Sequence, residues 1–270
     1  MPDPQSPSLL EPDEPAAVIE INRRGRSSYV IAVDHASHAI PRRLHNLGLP
    51  ESELMRHIAW DIGALAVARR VSTILDAPLV AQSYSRLVID CNRDPAVATS
   101  IPAFSENTAI PGNENLSPEQ VQLRHREIFQ PYHRHIRELL DERLAAGRPT
   151  MLVAQHSMTD WFEGNRRPMH AAVLYNRDAR LAHAVLEALR DEPSLQIADN
   201  EPYFLSDATD YTVPFHGERR GLLHVEIEIR QDLISDESGQ AEWAERIAHA
   251  LLGAQARVAG VVPAPTATGT

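Results

Sequence analysis

The chain has 270 residues, of which 43% are hydrophobic and 23% charged, which suits one α/β domain with a substantial core. Its net charge of −11 argues against a nucleic-acid partner, because phosphate binding depends on basic surface. The sequence contains no lysine, which excludes a Schiff-base lysine and a Walker-type phosphate loop.

The apolar runs, the single cysteine and the composition of the two ends indicate the expected compartment and the expected disordered segments. No apolar run approaches the roughly 18 residues that cross a bilayer, so we expect no membrane partner. The single Cys91 rules out an intramolecular disulfide and fits a reducing cytoplasm. Residues 1–15, with five prolines, and the Pro/Ala/Thr-rich residues 261–270 are predicted to be disordered tails. Residues 16–260 are then predicted to form a single domain.

The first half of this domain alternates between short apolar runs and helical patterns. Tyr29–Val33 is predicted to be a buried strand, and residues 51–75 are predicted to form a helix. Two further strands are predicted over residues 78–81 and 87–91.

The second half continues the alternation. Ser117 and Gln120 form a capping-box pattern around Pro118, which predicts a helix that runs to residue 146 and is kinked at Pro131. The remaining predictions are strands over residues 150–155, 171–175 and 224–230, and helices over residues 178–190 and 240–256. Such alternation predicts a three-layer α/β/α fold with a mixed, largely parallel central sheet. Because ligands in these folds bind outside the carboxyl ends of the strands, polar residues there are the candidates for function.

Two histidines, His35 and His156, stand near the ends of predicted strands in matched settings. Neutral imidazole is the commonest metal ligand, and side chains at neighbouring strand ends can converge on one ion. A structural role for each histidine is the alternative, and the pattern by itself leaves both open.

Asp61 lies on the apolar stripe of the predicted helix 51–75, with Ile58 and Leu65. A carboxylate that faces a core needs a metal, an arginine or a helix end as its partner. The alternative is that Asp61 caps a second helix that begins at Ile62, with Gly63 as the break.

The strand predicted over residues 224–230 places Glu226, Glu228 and Arg230 on one face and apolar residues on the other. An exposed edge strand would show the same pattern. If the polar face lines a cleft instead, it offers a carboxylate for general base catalysis beside an arginine.

Residues 85–93 present Arg86, Asp90, Asn92 and Arg93 around a predicted strand. Arginine beside asparagine suits the binding of a substrate carboxylate. A surface cluster in which Asp90 pairs with either arginine is the alternative.

Taken together, several segments resemble the N-formylglutamate amidohydrolase family, in the family's order and over about residues 28–250. The matching segments are His35-Ala-Ser-His-Ala-Ile-Pro41, Trp60-Asp-Ile-Gly-Ala64, Ser85-Arg-Leu-Val-Ile-Asp-Cys-Asn-Arg93, Ile110-Pro-Gly-Asn113, Gln155-His-Ser157, Asn200-Glu-Pro-Tyr203, Asp210-Tyr-Thr212 and Glu228-Ile-Arg-Gln-Asp-Leu233. The family resembles the zinc carboxypeptidases and aspartoacylases in its three-layer fold.

The resemblance implies a zinc site whose first and last protein ligands are His35 and His156. The relatives have a glutamate three residues after the first histidine, where this chain has His38. We therefore expect Asp61 to be the third ligand, with His38 as the alternative.

The resemblance also implies a reaction: amide hydrolysis of an N-formyl or N-acyl acidic amino acid. Glu228 is expected to act as general base and acid, and Arg86 to stabilise the oxyanion. Asn92 and Arg93 are expected to bind the substrate carboxylate, and Arg230 is a further candidate for substrate binding.

Two alternatives to this function stay open. One is an amidase that acts on a different N-acyl amino acid, and the other is an inactive carboxylate-binding protein with the same fold. Tyr211, His216 and Arg220 are expected on a loop near the cleft, without an assigned role.

Overall fold

In the computed structural model, which describes residues 8–162 and 164–258, the chain folds around a seven-stranded sheet. The strands are β1 (Val18–Ile21), β2 (Tyr29–Val33), β3 (Leu79–Gln82), β4 (Phe104–Ser105), β5 (Thr108–Ala109), β6 (Met151–Met158), β7 (Trp161–Phe162), β8 (Asn165–Arg166), β9 (Ala171–Leu174), β10 (Ile197–Asp199) and β11 (Leu223–Arg230). The α-helices are α1 (Glu51–Leu54), α2 (Ala64–Leu75), α3 (Pro118–Arg124), α4 (Gln130–Ala145), α5 (Arg180–Arg190) and α6 (Glu237–Val258).

Shorter helical turns complete the elements. The 3-10 turns are Arg42–Gly48, Ala98–Ser100, Pro111–Asn113, Glu218–Arg220 and Gln231–Leu233. The π-helical turns are His125–Phe129 and Val213–Gly217. The first of these joins α3 to α4 immediately before Pro131, which has no N–H to donate, so the irregularity predicted at Pro131 takes the form of a wider turn.

The sheet has the order β1-β3-β2-β6-β11-β9-β10. The four strands β3, β2, β6 and β11 run parallel, β1 is antiparallel at one edge, and β9 and β10 are antiparallel to β11. The prediction of a mixed, largely parallel sheet is therefore confirmed. The edge-strand interpretation of residues 224–230 is wrong, because β11 lies between β6 and β9 and is buried along its whole length.

Helices cover both faces of the sheet, as a three-layer fold requires. Along β2, Tyr29, Ile31 and Val33 pack in a core with α2, α5 and α6, whereas Val30 and Ala32 pack in a second core with α4. Each strand thus contributes alternate side chains to two cores. Within the described residues, none of the helices is long and apolar enough to cross a membrane.

Two predicted elements are wrong. Residues 87–91 form turns instead of a strand, because side chains satisfy their backbone: Asn113 donates to the Leu87 carbonyl and Arg124 to the Val88 carbonyl. The predicted helix 51–75 is two helices, α1 and α2, separated by turns over residues 55–63.

Part of the predicted N-terminal tail packs on the domain. The Glu127 carboxylate accepts hydrogen bonds from the backbone N–H groups of Leu9, at 2.8 Å, and Leu10, at 3.1 Å, and the Leu9 side chain is buried. The predicted disorder therefore does not apply to residues 8–15. Residues 1–7 and 261–270 lie outside the described residues.

The break between α1 and α2 depends on Gly63, whose φ of +80° lies in the left-handed region. A Cβ atom on this glycine would lie 2.3 Å from the Ile234 carbonyl oxygen, which belongs to the backbone and cannot move alone. Just before the break, the Asp61 N–H donates to the His35 carbonyl at 2.9 Å. Gly63 therefore lets the chain turn into α2 while Asp61 stays beside His35.

We predict that Gly63→Ala lowers the free energy of unfolding by about 3 kcal/mol, which combines the left-handed backbone penalty with a backbone clash. The matched control is Gly147→Ala, since Gly147 has a φ of +64° but nothing within 4 Å of its added Cβ, and should lose only about 1 kcal/mol. Denaturant unfolding of both variants checks this, and equal losses would contradict the role of the Ile234 contact.

Candidate active site

A cavity of about 560 Å³ opens beside the carboxyl ends of the parallel strands, where the fold predicts a ligand site. The predicted site residues that line it are His35, Asp61, Arg86, Asn92, Arg93, His156 and Glu228. They come from segments far apart in sequence, which the sheet brings together.

Three buried side chains form a compact group at this cavity: His35, Asp61 and His156. The Asp61 Oδ2 atom lies 2.8 Å from His156 Nδ1 and 3.4 Å from His35 Nδ1. One potential ligand atom from each residue lies within 4.8 Å of the others. Both histidines therefore turn the same ring nitrogen, Nδ1, toward one carboxylate.

The opposite ring nitrogens of the two histidines each face a second carboxylate. His35 Nε2 donates to Asp90 Oδ1 at 2.7 Å, and His156 Nε2 lies 3.2 Å from Asp34 Oδ2. Asp34 is fixed in turn by the Thr212 hydroxyl, which donates to its other oxygen at 2.5 Å. Carboxylates behind metal-ligating histidines set the tautomer and the ring orientation. Asp90 therefore holds a proton on His35 Nε2, the Asp34 carboxylate faces His156 Nε2 at ion-pair distance, and both Nδ1 atoms are directed inward.

This group fits a divalent transition metal such as zinc. The buried His35 Nδ1 has no hydrogen-bond partner among the described residues, although it points at the shared carboxylate. Two imidazole nitrogens and one carboxylate oxygen match the donor set of catalytic zinc sites, which keep a further position for water. His35, Asp61 and His156 could therefore hold a metal ion.

Opposite charges stabilise the buried group. Burial lowers the pKa of His156, but the nearby carboxylates outweigh burial and raise it well above its usual value. Burial raises the pKa of Asp61, yet the charges of His35 and His156 outweigh burial and lower it. Opposite charges thus hold the three side chains together, and a bound cation would require both histidines to be neutral because metal ligands must be deprotonated.

Glu228 lies next to this group in the sheet, where β11 pairs it with His156. Its Oε2 atom is buried and has no hydrogen-bond partner among the described residues. Burial raises the pKa of Glu228 to about 7. A carboxylate that gains and loses a proton near neutral pH is suited to general acid–base chemistry.

Arg86 brings a positive charge to the same place. Its guanidinium donates to Asp90 at 2.7 Å and lies 3.7 Å from Asp61 Oδ1. Nearby carboxylates raise the pKa of Arg86 despite the opposing effect of burial, so the side chain stays charged. It can therefore stabilise negative charge beside the candidate ligands.

The two other predicted substrate-binding residues at the cavity, Asn92 and Arg93, differ in how many of their hydrogen-bonding groups are available to a ligand. The Asn92 amide is engaged with the backbone N–H groups of Tyr211 and Thr212 and with the Asp210 carboxylate, so it mainly holds this loop. Arg93 donates to the Thr209 carbonyl, but its side chain is 30% exposed and lines the cavity. Arg93 thus keeps donors available for a ligand.

The prediction for Arg230 is wrong. Its side chain is buried and donates to the backbone carbonyls of Arg167 and Met169 and to the Asp232 carboxylate. Arg230 is the last residue of β11, and these backbone carbonyls accept hydrogen bonds from its guanidinium. Arg230 therefore stabilises the 167–169 segment and does not line the cavity.

The alternative ligand and the unassigned loop also lie apart from the group. His38 packs its ring against Trp60, 4.9 Å between centroids, and is not part of the candidate metal group. His216 is buried and hydrogen-bonds to His133 at 3.0 Å, and neither it nor Tyr211 lines the cavity. The backbone of Tyr211 and Thr212 contacts Asn92, and the Thr212 hydroxyl contacts Asp34, but none of the side chains of Tyr211, His216 and Arg220 lines the cavity.

The sequence does not indicate the supporting roles of Asp34 and Asp90. Asp34 and Asp90 hold the histidines, and both are buried, which overturns the interpretation of Asp90 as part of a surface ion-pair cluster. The sequence predicts Asp61 on the apolar stripe of a helix. In the structure Asp61 lies in the turns before α2, and its partners are the two histidines. The only local sequence signal for the supporting role of Asp34 is that it directly precedes His35.

Comparisons with known proteins identify a family and similar folds. A model of the N-formylglutamate amidohydrolase family matches residues 27–235. The crystal structure of a gene product from Agrobacterium tumefaciens is similar with 37% sequence identity and a TM-score of 0.90, over 93% of this chain and 99% of that one. An N-formylglutamate amidohydrolase from Ralstonia eutropha JMP134 shares the fold, with 18% identity and a TM-score of 0.67 over 91% of this chain and 99% of that one. No protein of curated function gives a significant match.

We predict that Asp90→Asn weakens the affinity for Zn²⁺ by about 10- to 100-fold, because His35 loses the carboxylate that fixes its tautomer. Competition with a chromogenic chelator measures the dissociation constant. The control is Asp191→Asn, which changes an exposed carboxylate outside the cavity and should leave it unchanged. Equal affinity of the wild type and Asp90→Asn would show that Asp90 does not support the ligand.

Proposed function

The chain belongs to the N-formylglutamate amidohydrolase family, and on that premise we propose that it is a zinc-dependent enzyme that hydrolyses the amide of an N-formyl or other N-acyl acidic amino acid. The observation that carries the proposal is the buried group of His35, Asp61 and His156, whose outer ring nitrogens each face a second carboxylate. A purely structural cluster would not need to turn two Nδ1 atoms toward one carboxylate beside a cavity.

Zinc would be held by the Nδ1 atoms of His35 and His156 and by the Asp61 carboxylate. When bound, it supplies Lewis-acid polarisation of the amide carbonyl and a water of lowered pKa. Burial of all three side chains keeps bulk water away from the ligands.

Glu228 moves the protons of the reaction. Its unpartnered Oε2 atom accepts a proton from the attacking water as the new C–O bond forms. The same carboxyl group then gives this proton to the amide nitrogen as the C–N bond breaks, so that the amine leaves neutral. A pKa raised to about 7 by burial allows both transfers near neutral pH.

The arginines act on the negative charges of the substrate. Arg86, beside Asp61, stabilises the oxygen that becomes negative when water adds to the carbonyl. Arg93, partly exposed at the cavity, binds the carboxylate of the acidic amino acid. Together they place two positive charges at the cavity for an anionic substrate.

We predict that Glu228→Gln lowers kcat by about 1,000-fold or more for N-acyl amino acid hydrolysis and keeps the metal, whereas His156→Ala loses the metal itself. Metal content and release of the free amino acid are measured in parallel, and Glu187→Gln, an exposed change on α5, is the control. Near-normal kcat in Glu228→Gln would refute the assigned role. Wild-type protein that neither binds zinc nor hydrolyses any N-acyl amino acid would refute the function.

For Arg93→Ala we expect KM for an N-acyl glutamate to rise by about 10- to 100-fold with a smaller change in kcat, since a charge-assisted contact to the bound substrate is lost. Steady-state kinetics separate the two constants. A fall in kcat at constant KM would instead place Arg93 in transition-state stabilisation.

A further inference from the structure

The exposed aromatic side chains of the protein are concentrated at the cavity. Among the described residues, five aromatic side chains are exposed: Phe104, Trp161, Phe162, Tyr203 and Phe204. Four of them line the cavity, and Trp161 adjoins Phe162 in β7. The whole sequence contains five phenylalanines, and three of them line the cavity. We call the exposed aromatic rings that line the cavity the aromatic mouth. Clustered exposed apolar groups usually mark a binding surface.

The aromatic mouth is partly fixed before any ligand arrives. The guanidinium carbon of Arg167 lies 5.1 Å from the Phe162 ring centroid and 4.8 Å from that of Tyr203, and it also donates to the Tyr203 hydroxyl. Arg167 itself is buried. The cation–π contacts therefore hold two of the rings in place, which lowers the entropy cost of binding against them. Phe204 and Phe104 remain the most exposed, at 68% and 61%.

The cavity is larger than a formyl group requires. Pockets of ~300–1,000 Å³ accept drug-sized ligands, and this one measures about 560 Å³. In the proposed function, Arg93 accounts for the carboxylate of the amino acid and Arg86 for the reacting carbonyl. The aromatic mouth then has no partner in an N-formyl amino acid, because the formyl carbon carries only hydrogen.

We propose that the natural substrate carries a bulky aryl or long alkyl acyl group, which lies against the mouth formed by Phe104, Phe162, Tyr203 and Phe204. This inference rests on the proposed amide hydrolysis and narrows it to N-aroyl or long-chain N-acyl derivatives of acidic amino acids. The acyl half is favoured because the amino-acid half is anionic and is matched by the arginines.

The test compares N-formyl-L-glutamate, N-benzoyl-L-glutamate and N-formyl-L-phenylalanine with the zinc-loaded enzyme. We expect kcat/KM for the benzoyl compound to exceed that for N-formylglutamate by about 10-fold or more, from partial burial of the ring. Calorimetric titration of Glu228→Gln, in which turnover is expected to be about 1,000-fold slower or more, should show a similarly lower dissociation constant for the benzoyl compound.

A matched pair of variants locates the preference. Phe204→Ala should reduce the ratio of benzoyl to formyl kcat/KM several-fold, whereas Leu144→Ala, an equally exposed apolar change on α4, should leave this ratio unchanged. Hydrolysis of N-formylglutamate at least as efficient as that of the benzoyl compound would overturn the inference while the proposed function stands. A gain with N-formyl-L-phenylalanine alone would also overturn it, by placing the apolar group on the amine half. Hydrolysis of none of the three would refute the proposed function itself.

Discussion

The outer ring nitrogens of His35 and His156 each face a buried carboxylate, and the arrangement of the cavity follows from these contacts. Asp90 accepts a hydrogen bond from His35 Nε2, and Asp34 lies at ion-pair distance from His156 Nε2. An imidazole without such a partner can rotate or change tautomer, and its metal affinity falls. Because both Nε2 atoms face these outer carboxylates, both Nδ1 atoms converge on Asp61. The cost of burying three carboxylates and two histidines is offset only because each charged group faces an opposite one.

The fold supplies these partners through the sheet. His35 follows β2, His156 lies in the adjacent β6, and β11 brings Glu228 beside His156. The turns before α2 deliver Asp61, and the Gly63 conformation makes those turns possible. Glu228, the candidate ligands and Arg86 therefore sit on segments anchored in the core, which suits a site that must hold a fixed geometry.

Local sequence signals predicted the elements whose structure depends on local chemistry. The strand Tyr29–Val33 and the capping box at Ser117 occur as expected, because apolar alternation and a side-chain cap act within a few residues. Residues 87–91 have the composition of a strand, but Arg124 and Asn113 bind their carbonyls from a distance, and no local pattern reports such contacts. The hydrogen bonds of Arg230 to the Arg167 and Met169 carbonyls also join distant segments, so no local pattern predicts them.

The sequence predicted the candidate ligands and Glu228 but not the residues that surround and support them. The residues that carry chemistry have recognisable types and positions in the family's motifs, so His35, Asp61, His156 and Glu228 could be named and are found together at one cavity. Asp34 supports the site through its place in space, which a one-dimensional pattern does not contain. The aromatic mouth is also invisible in sequence, since its rings come from two hairpins and a loop.

The most direct test of the metal site is a crystal structure of the zinc-soaked protein with anomalous diffraction data collected at the zinc edge. The proposed arrangement predicts one strong anomalous peak bonded to His35 Nδ1, His156 Nδ1 and the Asp61 carboxylate, at about 2.0–2.2 Å from each ligand atom. Asp90 and Asp34 should stay on the two Nε2 atoms. A zinc ion bound through either Nε2 atom, or zinc found only away from these three residues, would contradict the account.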